Sequence, residues 1–245
     1  MTSTFSTRFL SRRAIVKLTV GAALGALGCS ILPGRRAAGV PPVIWTFGDS
    51  ILDCARYNEH GITPGELIIR NDDRLFPEFR GQDLSSRAGG PPRLEHRAVD
   101  GATIRSLPAQ ARGIAGPGVA LLTIGGNDLL SGLVVDSGPG IEAFGRALTA
   151  FLENVPIRPV LIGNVYDPTF GDDSQNFLGV DPAMARSNHR RVNETLAEAG
   201  ARYGALVDLH GHFLTGDPSW YTRIIEPSLT GASEVRRCFL RHLLA

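Results

Sequence analysis

Short apolar runs that each stop at a glycine or a polar residue punctuate this chain, and they limit the folds open to it. Residues 43–47, 119–124, 160–163 and 205–209 are such runs, with a weaker one near 96–99. Each is too short for a helix and is followed by a polar stretch or a helical pattern. Asp181-Pro182 reads as an N-cap with proline at the first helical position, opening a helix to about residue 199. Val192, Leu196 and Ala199 give that helix an apolar stripe. Residues 141–152 read as another helix, and a C-terminal one from about residue 232 aligns Val235, Phe239 and Leu243. Strands alternating with helices predict an α/β fold: a three-layer α/β/α sandwich around a central parallel sheet of about five strands. No internal repeat or second domain is evident. Residues 58–92, rich in glycine, proline and charge, read as a long loop covering part of the site.

The charge is unevenly spread over the 245 residues. Residues 1–39 hold six basic side chains and no acid, and the rest carries 19 basic against 24 acidic groups, a net of −5. A mildly acidic body argues against nucleic acid as a partner, since binding phosphates takes a basic face. Residues 1–39 read instead as an export signal. Ser11-Arg12-Arg13-Ala14-Ile15-Val16-Lys17 resembles the twin-arginine motif, and residues 18–27 form an apolar run too short to span a bilayer. Ala37-Ala38-Gly39 offers small residues for cleavage, leaving residues 40–245 as the mature domain. Cys29 in Ala26-Leu27-Gly28-Cys29 is a partial lipobox, so a lipid anchor is one alternative and a retained membrane anchor the other. The twin-arginine export machinery is then a partner, and the expected location is periplasmic or secreted, in a bacterium. Cys54 and Cys238 read as small buried hydrophobes, although an oxidising compartment would permit a disulfide between them.

Three motifs close the first three strands. Phe47-Gly48-Asp49-Ser50 puts a serine on a strand-to-helix turn, exposed at the sheet edge. Gly101, in Asp100-Gly101-Ala102-Thr103, lets a backbone N–H approach a ligand closely. Gly125-Gly126-Asn127-Asp128 offers a side-chain amide donor. In open α/β sheets ligands bind at these carboxyl ends. Taken singly each motif also fits a cap or a turn. Together and in this order they resemble the SGNH/GDSL hydrolases, a family of esterases and lipases, over about residues 43–245. The resemblance implies a flavodoxin-like fold, Ser50 as nucleophile, and an oxyanion hole from the N–H groups of Ser50 and Gly101 and the Asn127 amide. Donors of that kind contribute ~3–4 kcal/mol each to a transition state. It implies no cofactor, and no zinc spacing, calcium loop or phosphate-cradling loop is present.

The family's last block, Asp-x-x-His-Pro, reads Arg223-Ile224-Ile225-Glu226-Pro227 here. Its histidine is a general base that its aspartate orients. Three readings follow. His210 or His212, in Asp208-Leu209-His210-Gly211-His212 after the fifth strand, supplies the base. Alternatively Glu226 takes the proton itself, which needs burial to raise its pKa, while Arg223 would lower it. In the third reading the chain is a non-catalytic SGNH-fold binding protein. His60 and His96 are weaker candidates, and His189 and His242 read as solvated. Tyr166-Asp167-Pro168-Thr169 is expected to line the pocket. The function expected is an exported serine hydrolase cleaving acyl or acetyl esters through an acyl-enzyme, on small-molecule, lipid or carbohydrate substrates.

Overall fold

The computed structural model describes residues 39–87 and 90–245. The twin-arginine-like motif, the apolar run and Cys29 lie outside the described residues. Among the described residues no helix is long and apolar enough to cross a membrane.

Five strands form one parallel sheet: β1 (Val43–Gly48), β2 (Arg93–His96), β3 (Val119–Thr123), β4 (Val160–Gly163) and β5 (Gly204–Val207). Their spatial order is β2-β1-β3-β4-β5. All four pairings are parallel, with Ile44 opposite Val119 and Ala120 opposite Val160. The order is the doubly wound one, in which the chain crosses β1 to build both wings, and it leaves β1 between β2 and β3. The loops that leave β2 and β3 therefore flank the turn that leaves β1.

The period of two along each strand sorts the core into two layers. Trp45, Phe47, Ala120, Leu122, Val160 and Ile162 face one side. Ile44, Val119, Leu121 and Leu161 face the other. Both faces are apolar because helices cover both. On the first face lie α3 (Leu107–Gln110), α5 (Pro139–Asn154) and α6 (Pro182–Tyr203). The α5 stripe is Ile141, Phe144, Leu148, Phe151 and Leu152. Asp181 caps α6 through Oδ1, which accepts from the Met184 N–H at 2.8 Å. That helix runs four residues past the expected end, and Val192, Leu196 and Ala199 are buried as the stripe required. On the second face lie α1 (Pro64–Ile69), α7 (Leu209–Phe213) and α8 (Leu229–Leu243). Two short helices, α2 (Leu84–Arg87) and α4 (Gly126–Leu130), complete the set with a two-stranded antiparallel ribbon, β6 (Tyr221–Thr222) and β7 (Glu226–Pro227).

Residues 58–92 depart from the expected loop. Thr63 and Glu66 form a capping box that starts α1, with the Thr63 N–H donating to Glu66 at 2.7 Å. Leu67, Ile68, Phe76, Phe79 and Leu84 then enter the second core layer. The anchor is Arg236 of α8, fully buried, whose guanidinium lies 3.6 Å from the Phe79 ring centre and 4.6 Å from that of Phe76. Its Nη1 donates to Asn71 at 2.6 Å. This segment packs on the back of the sheet and contributes no described residue to the pocket wall.

Cys54 and Cys238 are buried free thiols. Burial pushes both thiols up to about 12, in keeping with their expected role as small hydrophobes.

Candidate active site

The turn after β1 is possible only with glycine at position 48. Gly48 has φ +119°, and a Cβ there would lie 1.7 Å from the Thr123 carbonyl oxygen. The Gln110 amide holds the same residue from the side, accepting from its N–H at 2.7 Å and donating to its carbonyl at 2.8 Å. Gly48→Ala is expected to cost more than ~3 kcal/mol through strain and backbone overlap. That corresponds to a loss of about 6–12 °C in Tm by thermal denaturation. A Tm unchanged by this substitution would contradict the turn geometry.

Asp49 fastens β1 to β3. Its Oδ1 accepts from the Thr123 hydroxyl at 2.8 Å and from the Ile51 N–H at 3.2 Å. Burial nonetheless pushes its carboxyl up to about 7. Ser50 follows at the mouth of the turn, 8% exposed and on the pocket wall. Asp53 then accepts from the Asp100 N–H at 2.9 Å, which ties the segment after Ser50 to the one before Gly101. Gly101 has φ +77° with open space where a Cβ would be, so conformation rather than room selects glycine. Asn127, at the start of α4, donates one amide hydrogen to the Ala102 carbonyl at 3.1 Å. Asp128 beside it accepts from the Ile104 N–H. Among the described residues, the N–H groups of Ser50 and Gly101 donate to no backbone acceptor. Neither has a side-chain acceptor among the described residues, so these two N–H groups and the second Asn127 amide hydrogen remain at the ends of the strands beside Ser50.

Glu226 reaches the same edge from the β6–β7 ribbon. The connecting turn places Arg223 at φ +46° and Ile224 at φ +75°, a left-handed pair that is costly for a β-branched side chain. Tyr166 braces this turn: its hydroxyl donates to the Ile225 carbonyl at 2.6 Å, and its ring stacks on Phe213 at 4.7 Å. The Glu226 carboxyl is raised above the ordinary range, first by burial and further by the Asp100 charge. The hydroxyls of Ser50 and Tyr57 and the charge of Arg56 act against that rise. Oε2 of Glu226 is buried without a hydrogen-bond partner. Tyr57 instead donates to Asp100 at 2.8 Å, and Arg56 pairs with that same carboxylate at 2.8 Å. Arg223 does not pair with Glu226, contrary to the expected effect of its position. Its guanidinium lies over the Tyr57 ring at 5.1 Å, and the counter-charge comes from Arg56.

The two histidines after the fifth strand both sit on α7, where they engage other partners; like Gly101 and Glu226, neither lines the pocket that holds Ser50. His212 is turned toward α8, with Nε2 2.7 Å from Glu234 Oε2 and its ring against Trp220. His210 points its ring at His189, 5.0 Å between centres, while its N–H donates to Asn164 at 2.7 Å. Asp208 caps α7 through its side chain, which accepts from the Gly211 N–H. His96 is engaged with Thr46 and Asp53. His189, expected in solvent, is a pocket-wall residue whose Nε2 lies 2.8 Å from the Val165 carbonyl oxygen. Its pKa is lowered by burial and by the neighbouring His210.

The pocket in front of Ser50 has a volume of about 140 Å³. Its walls come from α4, the segment that follows β4, residues 167–178 and the first two turns of α6. Tyr166, Asp167, Pro168 and Thr169 all line it, as expected for the loop after the fourth strand. Among the described residues no group of three His, Cys, Asp or Glu side chains is arranged to hold a metal ion. Three contributors escaped sequence reasoning: Tyr57, the bracing role of Tyr166, and His189. A tyrosine seven residues after a strand-end serine carries no signal of its own, and its role rests on contacts to Asp100 and Arg223.

The GDSL-like Lipase/Acylhydrolase family model matches residues 46–231. No curated protein sequence matches the chain. Solved structures share the fold at low identity. An acetylxylan esterase from Geobacillus stearothermophilus is 17% identical, covering 84% of this chain and 96% of its own, with a TM-score of 0.59. A lipase/acylhydrolase from Enterococcus faecalis is 15% identical, covering 82% and 95%, with a TM-score of 0.57. An α/β hydrolase from the metagenome of Lake Arreo, Spain, is 19% identical, covering 84% and 96%, with a TM-score of 0.58.

Proposed function

This chain belongs to the GDSL-like lipase/acylhydrolase family, and from that premise we propose that it hydrolyses carboxylic esters through an acyl-enzyme on Ser50. The observation that supports the reading is Ser50 and Asn127 on one pocket wall at the carboxyl ends of β1 and β3, with Gly101 at the end of the neighbouring β2 segment. Ser50 Oγ attacks the ester carbonyl carbon and its proton passes to the Glu226 carboxylate. The carbonyl oxygen, now an anion, is held by the Ser50 and Gly101 N–H groups and Asn127 Nδ2, donors fixed before the substrate arrives. The tetrahedral adduct collapses, and the alcohol leaves with the proton from Glu226. A water then gives a proton to Glu226, attacks the acyl carbon, and releases the acid and Ser50.

Glu226 suits the part of base better than a solvated glutamate would. A general base works best with a pKa near the operating pH, and burial moves this one upward. Its partnerless Oε2 is an acceptor with no competing donor. One observation favours the second reading, a binding protein without chemistry: the residue that would orient a histidine is Arg223, occupied with Tyr57. A fluorophosphonate probe separates the two. The esterase reading expects a single adduct by intact mass, mapped to Ser50. A protein that stays unlabelled at millimolar probe is the binding protein.

The export reading of residues 1–39 belongs to this proposal as well. It is supported by the arginine pair, the ten-residue apolar run and the small residues at 37–39, with lipidation at Cys29 as its alternative. It places the hydrolase outside the cytoplasm, where its ester substrates would be met.

A further inference from the structure

The wall in front of Ser50 divides into spent polar groups and free apolar ones. Arg186 donates to both Asp167, at 3.2 Å, and Asp173, so three charges of the wall satisfy one another. The Thr169 hydroxyl donates to Asp167 at 2.6 Å, the Asn176 amide to the Val180 carbonyl at 2.8 Å, and His189 Nε2 is held at Val165. A polyhydroxylated group entering here finds few open hydrogen-bond partners, and a site built for hydroxyls keeps such partners open. The apolar part comes from Leu129, Leu130, Val134, Val165, Phe177 and Leu178. Leu130 and Phe177 stand 42% and 40% exposed at this wall, large apolar side chains left in water where an apolar ligand would cover them.

We propose that this pocket is the acyl-chain site and that it selects acyl groups of about six carbons over acetyl. The inference rests on the reading of Ser50 as nucleophile, because Ser50 and Asn127 line the same pocket and so fix where the carbonyl sits. The length follows from the volume. An apolar cavity of about 150 Å³ takes one benzene, six carbons, and this pocket offers about 140 Å³. Each methylene moved from water to such a wall is worth about fourfold in binding. From acetyl to hexanoyl that amounts to about two orders of magnitude in kcat/KM. Past the end of the pocket, further carbons return to water and add nothing.

The test is a series of p-nitrophenyl esters from acetate to decanoate, with acetylated xylooligosaccharide alongside, and calorimetry of hexanoate and acetate binding. The expected profile climbs about 100-fold to hexanoate and flattens or falls from octanoate. Val134→Phe narrows the pocket and is expected to lower the hexanoate-to-acetate ratio at least tenfold. Ala185→Leu, at the start of α6, narrows the same space from the surface and is expected to act in the same direction should the first variant fail to fold. Acetate or the acetylated sugar as best substrate overturns the acyl-length inference and leaves the esterase reading standing. Hexanoate binding at least tenfold tighter than acetate, with no ester turned over, upholds the pocket and overturns the esterase reading. No turnover and no dependence of binding on chain length overturns both.

Discussion

Ser50→Ala is expected to lower kcat on a chromogenic short-chain ester by about 10³-fold or more, with Tm within about 2 °C of the parent. The chemical loss is large because no other nucleophile stands at the sheet edge in the proposed mechanism. The structural loss is small because, among the described residues, the Ser50 hydroxyl makes no hydrogen bond to any group that holds the fold. The backbone N–H of residue 50 survives the substitution, as do Gly101 and Asn127, so a residual rate above the uncatalysed one is expected. Serine-triad knockouts retain ~10³–10⁴-fold over water for that reason. Asn127→Ala in the Ser50→Ala background separates the contributions, since it should remove most of what remains. Turnover of Ser50→Ala at the parent rate, measured on protein free of contaminating esterase, would reject the nucleophile.

The sheet was legible because its signal is local. Residues 43–47, 119–124 and 160–163 are apolar on both faces, and only a strand covered on both sides asks for that. The strand-end motifs were legible for the same reason: Gly48, Gly101 and Asn127 act through backbone shape and position set within a few residues. The edge strand β2 was placed three residues late, because Arg93, Glu95 and His96 give it a half-exposed face with no apolar rhythm. Arg236 shows what lay out of reach. On α8 it is buried because Phe76, Phe79 and Asn71, some 160 residues earlier, close over it. The same contact turned residues 58–92 from an expected loop into part of the core. At the site, the environment of Glu226 draws on Ser50, Tyr57, Asp100 and Arg56 from two strand-end segments, and no spacing rule joins these to the β6–β7 ribbon.

That environment makes Glu226 the second position of large effect. Glu226→Gln is expected to reduce kcat about 10³-fold, close to Ser50→Ala, and the double substitution is expected to be no worse than either alone, because residues acting as one unit are strongly non-additive. A simple loss of folding is separated by the sign of the linkage. The folded-state pKa of Glu226 is raised, so its stabilising contribution is present below the unfolded value and is lost as pH rises through the folded one. Above the raised pKa the charged carboxylate is therefore a liability to the fold, and there a neutral glutamine should give a Tm equal to or above the parent's. The rate has the opposite dependence, since the carboxylate is the base: turnover should fall as pH drops through the raised pKa. Glu226→His places the family's base at this position and is expected to keep measurable turnover, with the acid limb moved toward about 6.5. Adding Arg223→Asp supplies the orienting carboxylate of a serine triad and should raise that rate further. An unchanged pH profile in Glu226→His, or full activity in Glu226→Gln, would remove Glu226 from the proton path and return the question to His189, a histidine on the pocket wall.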